Sequence, residues 1–212
     1  MKNKTSVFIT EAVTLIPAFI GLALWNKLPQ EIAIHFDTSF NADNWCYKGY
    51  AVLGIPLFMF VAQLFCLFMT SYDPKKKNIN DKMYNIVMWI CPVCSVIYGV
   101  IIYMNALNIY FSFFLILQVA LGIGVIIIGN YLPKIRQNYT IGIKLPWTLS
   151  DKENWNSTHR FSGRMWIVGG LILIANSFFN NSILHFIVLT LIIITPLIYS
   201  WIYYVRHKNI SS

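Results

Sequence analysis

Apolar residues run through this chain in six long blocks separated by shorter polar stretches, near residues 7–25, 50–70, 83–104, 110–129, 164–179 and 184–204. A helix needs about 20 residues to cross a bilayer core, and blocks of this length predict helices rather than buried strands. The expected fold is all-α: a polytopic membrane protein built as a bundle of six transmembrane helices. Lys2 and Lys4 precede the first block as they would precede a signal peptide, but Trp25-Asn26-Lys27 is no small-residue cleavage site, so the block reads as a retained helix. Two regions are expected: residues 1–82 with two helices and the loop 26–49, and residues 83–212 with four helices and the polar segment 129–164.

Composition agrees with this reading. Hydrophobic residues make up 57% of the chain and charged residues 11%, with a mean hydropathy of +0.59. A soluble domain holds about 45–50% apolar and about 25% charged residues.

Charge then sets an orientation. Of the 16 Lys and Arg residues, all but Lys27 and Lys48 fall on one side of the bundle, in the two termini, the second loop (Lys75, Lys76, Lys77, Lys82) and the segment 129–164. The positive-inside rule predicts cytoplasmic N and C termini, a cytoplasmic 129–164 segment and an extracytoplasmic 26–49 loop. The net charge of +8 is then explained by anionic inner-leaflet lipids, with no direct nucleic-acid binding. Trp25, Tyr50, Tyr103, Tyr110, Trp201, Tyr203 and Tyr204 lie near block ends, as interfacial belt residues do.

Polar residues within the blocks are few. Glu11 lies one turn inside the first helix and is expected to snorkel to the interface or pair with Lys4. Gln63, Gln118 and Asn176 are expected to satisfy themselves across helix interfaces. Pro17, Pro56, Pro92 and Pro196 predict kinks. Ala120, Gly124, Gly129, Gly163, Gly169 and Gly170 predict close packing of the fourth helix on the fifth. Cys91-Pro92-Val93-Cys94 has redox spacing but lies within a block and lacks a partner pair, so the cysteines read as small apolar residues.

Two loops could carry chemistry. In 26–49, Ile32, Ile34 and Phe36 alternate with smaller or polar neighbours and predict a short extended piece, followed by an Asn/Asp/Ser turn region. His35, Asp37, Asp43 and Cys46 are metal-binding residue types, but their spacing matches no standard ligand pattern, so no metal and no cofactor is assigned. The 129–164 segment holds six cations: Lys134, Arg136, Lys144, Lys152, Arg160 and Arg164. Ser150 through Glu153 reads as a capping box with Ser150 as the cap, starting a helix that carries Trp155 and His159 to the inner interface. A general base at His159 would need Asp151 or Glu153 in support; Glu153 is six residues away on another side of the helix and no nucleophile motif accompanies it, so no enzyme is expected.

The residues from Gly129 through Tyr139, then Gly142 through Leu149, then Trp155 and Thr158-His159-Arg160 with Gly163, resemble the signature of SdpI-family membrane proteins. The first loop, from Leu28-Pro29 through His35 to Asp43, Trp45 and Lys48, is similar to the uncharacterised membrane domain that often precedes it. Lys144 and Leu145 stand where the family more commonly shows Arg and Thr. The resemblance implies a bacterial plasma-membrane immunity protein that protects its producer from a secreted membrane-active peptide toxin. It also implies a signal-transducing role in which a cytosolic helix-turn-helix autorepressor is held at the membrane. The partner-binding residues it implies are Asn130, Pro133, Arg136, Asn138, Gly142, Lys144, Pro146, Trp147, Thr148, Trp155, Thr158, His159, Arg160 and Gly163. On the outer side, His35, Asp37, Asp43 and Trp45 are the toxin-facing candidates. The competing expectation is a small lipid or peptide transporter or flippase, which would need a polar path through the bundle.

Overall fold

The computed structural model describes residues 4–37, 41–109, 113–179 and 181–208. Lys2 and Tyr110, given flanking and belt roles above, lie outside these residues. Among the described residues six helices are long and apolar enough to cross a membrane, as expected for a multi-pass membrane protein. The chain divides into two compact units, Met1–Tyr72 with Asp81–Ser112, and Asp73–Asn80 with Phe113–Ser212. This division differs from a cut at 82: α3 goes with the first two long helices, and the segment 73–80 goes with the second unit.

The first unit contains α1 (Lys4–Ala23), a hairpin of β1 (Glu31–Phe36) and β2 (Ala42–Tyr47), α2 (Ile55–Ser71) and α3 (Asp81–Ala106). α1 and α3 meet closely because Gly99 leaves room for Pro17: a Cβ on Gly99 would stand 2.6 Å from the Pro17 ring. Polar bonds fix the same interface. The Ser95 hydroxyl donates to the Thr14 carbonyl at 2.8 Å and the Tyr103 hydroxyl to the Pro17 carbonyl at 2.8 Å.

Pro56 is not an interior kink. It occupies the first turn of α2, where its missing N–H costs least, directly after a π-helical turn at Tyr50–Gly54. Cys91 and Cys94 carry free thiols on α3.

The hairpin corrects the expected turn region. Residues 42–47 form a second strand, antiparallel to the first, with Ile32 opposite Cys46 and Ala33 opposite Trp45. Burial explains the pairing: Ile32 is 1% exposed and joins Leu28, Ala51, Val52, Ile102 and Tyr103 in one apolar cluster. Among the described residues the helical bundle therefore carries one small sheet.

The second unit contains α4 (Phe113–Tyr131), the short α5 (Pro146–Ser150), α6 (Lys152–Phe179) and α7 (Ser182–Lys208). α4 packs on α6 through Gly122, Gly129, Gly163 and Gly170, where any Cβ would fall within 3 Å of the facing helix. Two of the expected small residues serve otherwise. Gly169 faces Ile192 and Val188 of α7, and Gly124 has nothing within 4 Å of the position its Cβ would take. Trp166 ties α6 to α7 by donating its indole N–H to the Ile192 carbonyl at 2.9 Å.

α6 is continuous through Gly163. Its 28 residues correspond to about 42 Å at about 1.5 Å per residue, against a hydrocarbon core of about 30 Å. Two turns therefore extend beyond the core, and the first turns of α6 carry the last part of the signature region, with Trp155 and His159.

Candidate functional site

Residues 135–145 link α4 to α5 with almost no regular structure. Their backbone N–H and C=O groups have no helical ladder, and each buried one must find a partner elsewhere. Side chains supply them. Asn138, 1% exposed, accepts at Oδ1 from the amides of Thr140 (2.9 Å) and Ile141 (2.6 Å), and its Nδ2 donates to the Arg136 carbonyl. The Thr148 hydroxyl accepts from the Leu145 amide at 2.9 Å and donates to the Ile143 carbonyl at 2.8 Å.

From α6, Trp155 and His159 close the loop from below. The Trp155 indole N–H donates to the Ile135 carbonyl at 2.8 Å, and the imidazole of His159 stacks on it at 4.1 Å between ring centroids. The Ile143 amide donates to His159 Nε2 at 3.0 Å, while Nδ1 lies 2.7 Å from the Trp155 carbonyl. These two partners assign the neutral tautomer with the proton on Nδ1. With both nitrogens engaged, the ring has no free lone pair to serve as a general base. Gly142 sits directly above with φ of 118°, and a Cβ there would meet His159 Nε2 at 2.5 Å. Only glycine takes this backbone conformation readily and lets the loop come so close to the ring.

The segment 73–80 is the other half of the site, and nothing in the sequence pattern pointed to it. Asp73, 4% exposed, accepts at Oδ2 from the Tyr139 amide at 2.9 Å and from the Thr140 hydroxyl at 2.6 Å. The Lys75 ammonium donates to Gln137 Oε1 at 2.6 Å, and Asn78 Nδ2 donates to the Gln137 carbonyl at 2.6 Å. Gln137 Nε2 in turn donates to the Thr148 and Leu149 carbonyls at 3.0 and 2.9 Å, which holds the end of α5. Gln137 lies within the signature but is absent from the partner-binding residues that the resemblance implies. Its role depends on partners that sequence spacing does not reveal.

On the α7 side, the Trp147 indole N–H donates to the Ser200 hydroxyl at 3.0 Å and its ring meets Trp201 edge-on at 4.9 Å. Asn154 Nδ2 donates to the Ser200 carbonyl at 3.1 Å, and the Thr158 hydroxyl donates to Asn154 Oδ1 at 2.9 Å. Asn154 and Ser200 are likewise site residues that the sequence pattern does not mark.

The expected cap moves by one residue. Asp151 Oδ1 accepts from the Glu153 amide at 2.7 Å, so Asp151 caps α6, while the Ser150 hydroxyl points back to the Trp147 carbonyl at 3.3 Å. Ser150 ends α5, which removes it from the capping position.

Burial sorts the fourteen signature residues into two groups. Asn138, Thr148, Trp155, Thr158, His159 and Gly163 are buried, with Gly142 and Trp147 half-buried; they build the loop from within. Asn130, Pro133, Arg136, Lys144, Pro146 and Arg160 are exposed, together with Lys134, Lys152 and Arg164. The result is a cationic surface held rigidly from beneath, suited to an anionic headgroup layer or an acidic partner face.

At the hairpin, His35 Nδ1 lies 2.6 Å from Asp43 Oδ1 on an exposed face. Asp37 receives the Asn41 amide at 2.8 Å, and Trp45 is 51% exposed. All four toxin-facing candidates thus belong to one hairpin end or face. An exposed His–Asp contact contributes at most about 1 kcal/mol, so burial of Ile32 and Ala33 does more to hold the hairpin in place. Lys48 is 7% exposed; its ammonium stands 4.7 Å over the Trp25 ring and donates to the Trp25 carbonyl at 3.3 Å.

These features define a multi-pass plasma-membrane protein with a hairpin-bearing unit and a unit built around a side-chain-stitched polar loop. Its two parts match two known families. Residues 134–200 match the SdpI/YfhL protein family and residues 12–60 match a domain of unknown function, DUF1648, so the resemblance drawn from the signature and from the first loop holds in both. The chain is 23% identical over 214 residues to the immunity protein SdpI of Bacillus subtilis (strain 168), covering 99% of this chain and 98% of that protein. No solved structure matches the chain.

Proposed function

We propose that this protein is an integral-membrane immunity protein protecting its cell against a secreted membrane-active peptide toxin, with no catalytic role. The observation that carries the reading is the end-to-end similarity to an immunity protein, which spans both units. In this reading the hairpin with His35, Asp37, Asp43 and Trp45 faces outward and meets the peptide. The signature loop faces the cytosol, with Arg136, Lys144, Pro146 and Arg160 as its contact surface. There it engages inner-leaflet phosphates and a cytosolic helix-turn-helix repressor, while Trp155, His159 and Gly142 hold the loop in shape.

The test is expression in a strain sensitive to such peptides. Survival should rise with the wild-type chain and fall back with Asp43→Ala/Trp45→Ala on the hairpin. Arg136→Ala/Lys144→Ala should leave survival intact but abolish membrane recruitment of a repressor encoded beside the gene. Unchanged killing across several peptide toxins would sink the immunity reading.

A further inference from the structure

Three helices of the first unit bring polar groups to neighbouring levels, and the unpartnered atoms of Glu11 and Gln63 there are all acceptors. Glu11 on α1, expected to snorkel, is instead 8% exposed, and neither of its carboxyl oxygens has a hydrogen-bond partner among the described residues. The neighbouring hydroxyls offer it no proton, since Thr10 donates to the Val7 carbonyl and Thr14 to the Thr10 carbonyl. Gln63 on α2 is fully buried; its Nε2 donates to the Met88 carbonyl of α3 at 2.6 Å, which leaves Oε1 without a partner. α1 and α3 run in the same direction, with the Ser95 hydroxyl on the Thr14 carbonyl and Gly99 against Pro17, so Glu11, one turn before Thr14, stands level with the turn of α3 at Cys91, one turn beyond Met88. Glu11 and Gln63 therefore meet α3 on adjacent turns.

A buried polar atom without a partner calls for an explanation, and an ion is one of the few available. A carboxyl group in a membrane interior is costly unless paired, and marks a site by default. Cys91 of α3 is the titratable group within electrostatic reach of Glu11, and no Lys, Arg or His of the described residues donates a hydrogen bond to its carboxyl. Those residues also contain no cluster of three His, Cys, Asp or Glu side chains able to hold a metal ion. A set of oxygen acceptors with one carboxyl and no donor suits a single positive charge.

We propose that Glu11 and Gln63 form an intramembrane site for one exchangeable monovalent cation, a proton or an alkali ion, bound by the Glu11 carboxyl. The site is independent of the immunity reading and would stand if that reading fell. A hydrophobic carbodiimide adds to a membrane-embedded carboxyl only when the group is protonated, so it reports occupancy directly.

The full-length protein in lipid nanodiscs is treated with the reagent, and the adduct is located by peptide mass spectrometry. Wild type is expected to carry the adduct at Glu11, and Glu11→Gln to lose it. If the ligand is a proton, labelling falls at least ten-fold between about pH 5 and about pH 9 and ignores salt. If it is an alkali ion, labelling at fixed pH falls at least ten-fold on adding Na⁺ or K⁺. Gln63→Leu, which removes only the second acceptor, is expected to shift the half-point of whichever titration is seen by at least two-fold in ligand concentration. Absence of label on Glu11 at every pH with its peptide detected, or label insensitive to both pH and salt, overturns the proposal, as does a Gln63→Leu titration identical to wild type.

Discussion

Gln137 illustrates how much structure a single side chain can carry in this protein. Its amide bridges Lys75 on one side and the Thr148 and Leu149 carbonyls on the other. Replacing it with Leu orphans two carbonyls and strands an ammonium, and each orphaned buried group costs about 1–3 kcal/mol. Gln137→Leu is expected to lower stability by about 2–4 kcal/mol, read as a fall in thermal midpoint in detergent, whereas Arg136→Ala on the exposed neighbour should fall within about 0.5 kcal/mol. Gly142→Ala combines a left-handed backbone with a 2.5 Å contact to His159; we expect a loss of about 2 kcal/mol or more and faster proteolysis of the loop. Gly142 was legible in the sequence as part of the signature motif. Asp73 and Gln137 were not, because their partners lie 66 and 62 positions away and no local pattern announces a bond of that span.

Among the elements, the six long helices could be read directly because a lipid environment demands apolar blocks of fixed length. The ends and exceptions were harder. Asp43-Asn44 in β2 are poor strand formers, and the strand exists because Trp45 and Tyr47 are good ones and because Ile32 across from it is anchored in the unit's core. The start of α6 was expected to be capped by Ser150, but α5 claims that residue and Asp151 takes the role. Asp151→Ala is accordingly expected to cost about 1 kcal/mol and Ser150→Ala almost nothing, with the amide of Glu153 losing hydrogen-exchange protection only in the former. The opposite ranking would restore Ser150 as the cap.

For the whole molecule, the two compact units are interleaved along the chain, since residues 73–80 leave the first to complete the second. No division by helix count anticipates this, because the segment is short, polar and indistinguishable from a connecting loop. A fragment beginning at residue 113 lacks Asp73, Lys75 and Asn78. We expect its loop around 137–141 to be cleaved at least ten-fold faster than in the intact protein, with protection restored by co-expressing residues 1–112. The orientation inferred from charge is tested separately: a thiol introduced as Ser150→Cys in a cysteine-free background should react with an impermeant reagent only after the membrane is opened.

The 73–80 segment also imposes an order on biosynthesis. Lys75 leaves the ribosome 62 residues ahead of Gln137, and at about 5–20 residues per second it waits about 3–12 s for its partner. During that interval a buried aspartate, a lysine and an asparagine stand in water with nothing to bind, while α3 and α4 are still being inserted. The second unit is thus finished by a piece made before it, and a pause or early release in that window would strand a membrane-inserted chain whose signature loop has nothing to close upon.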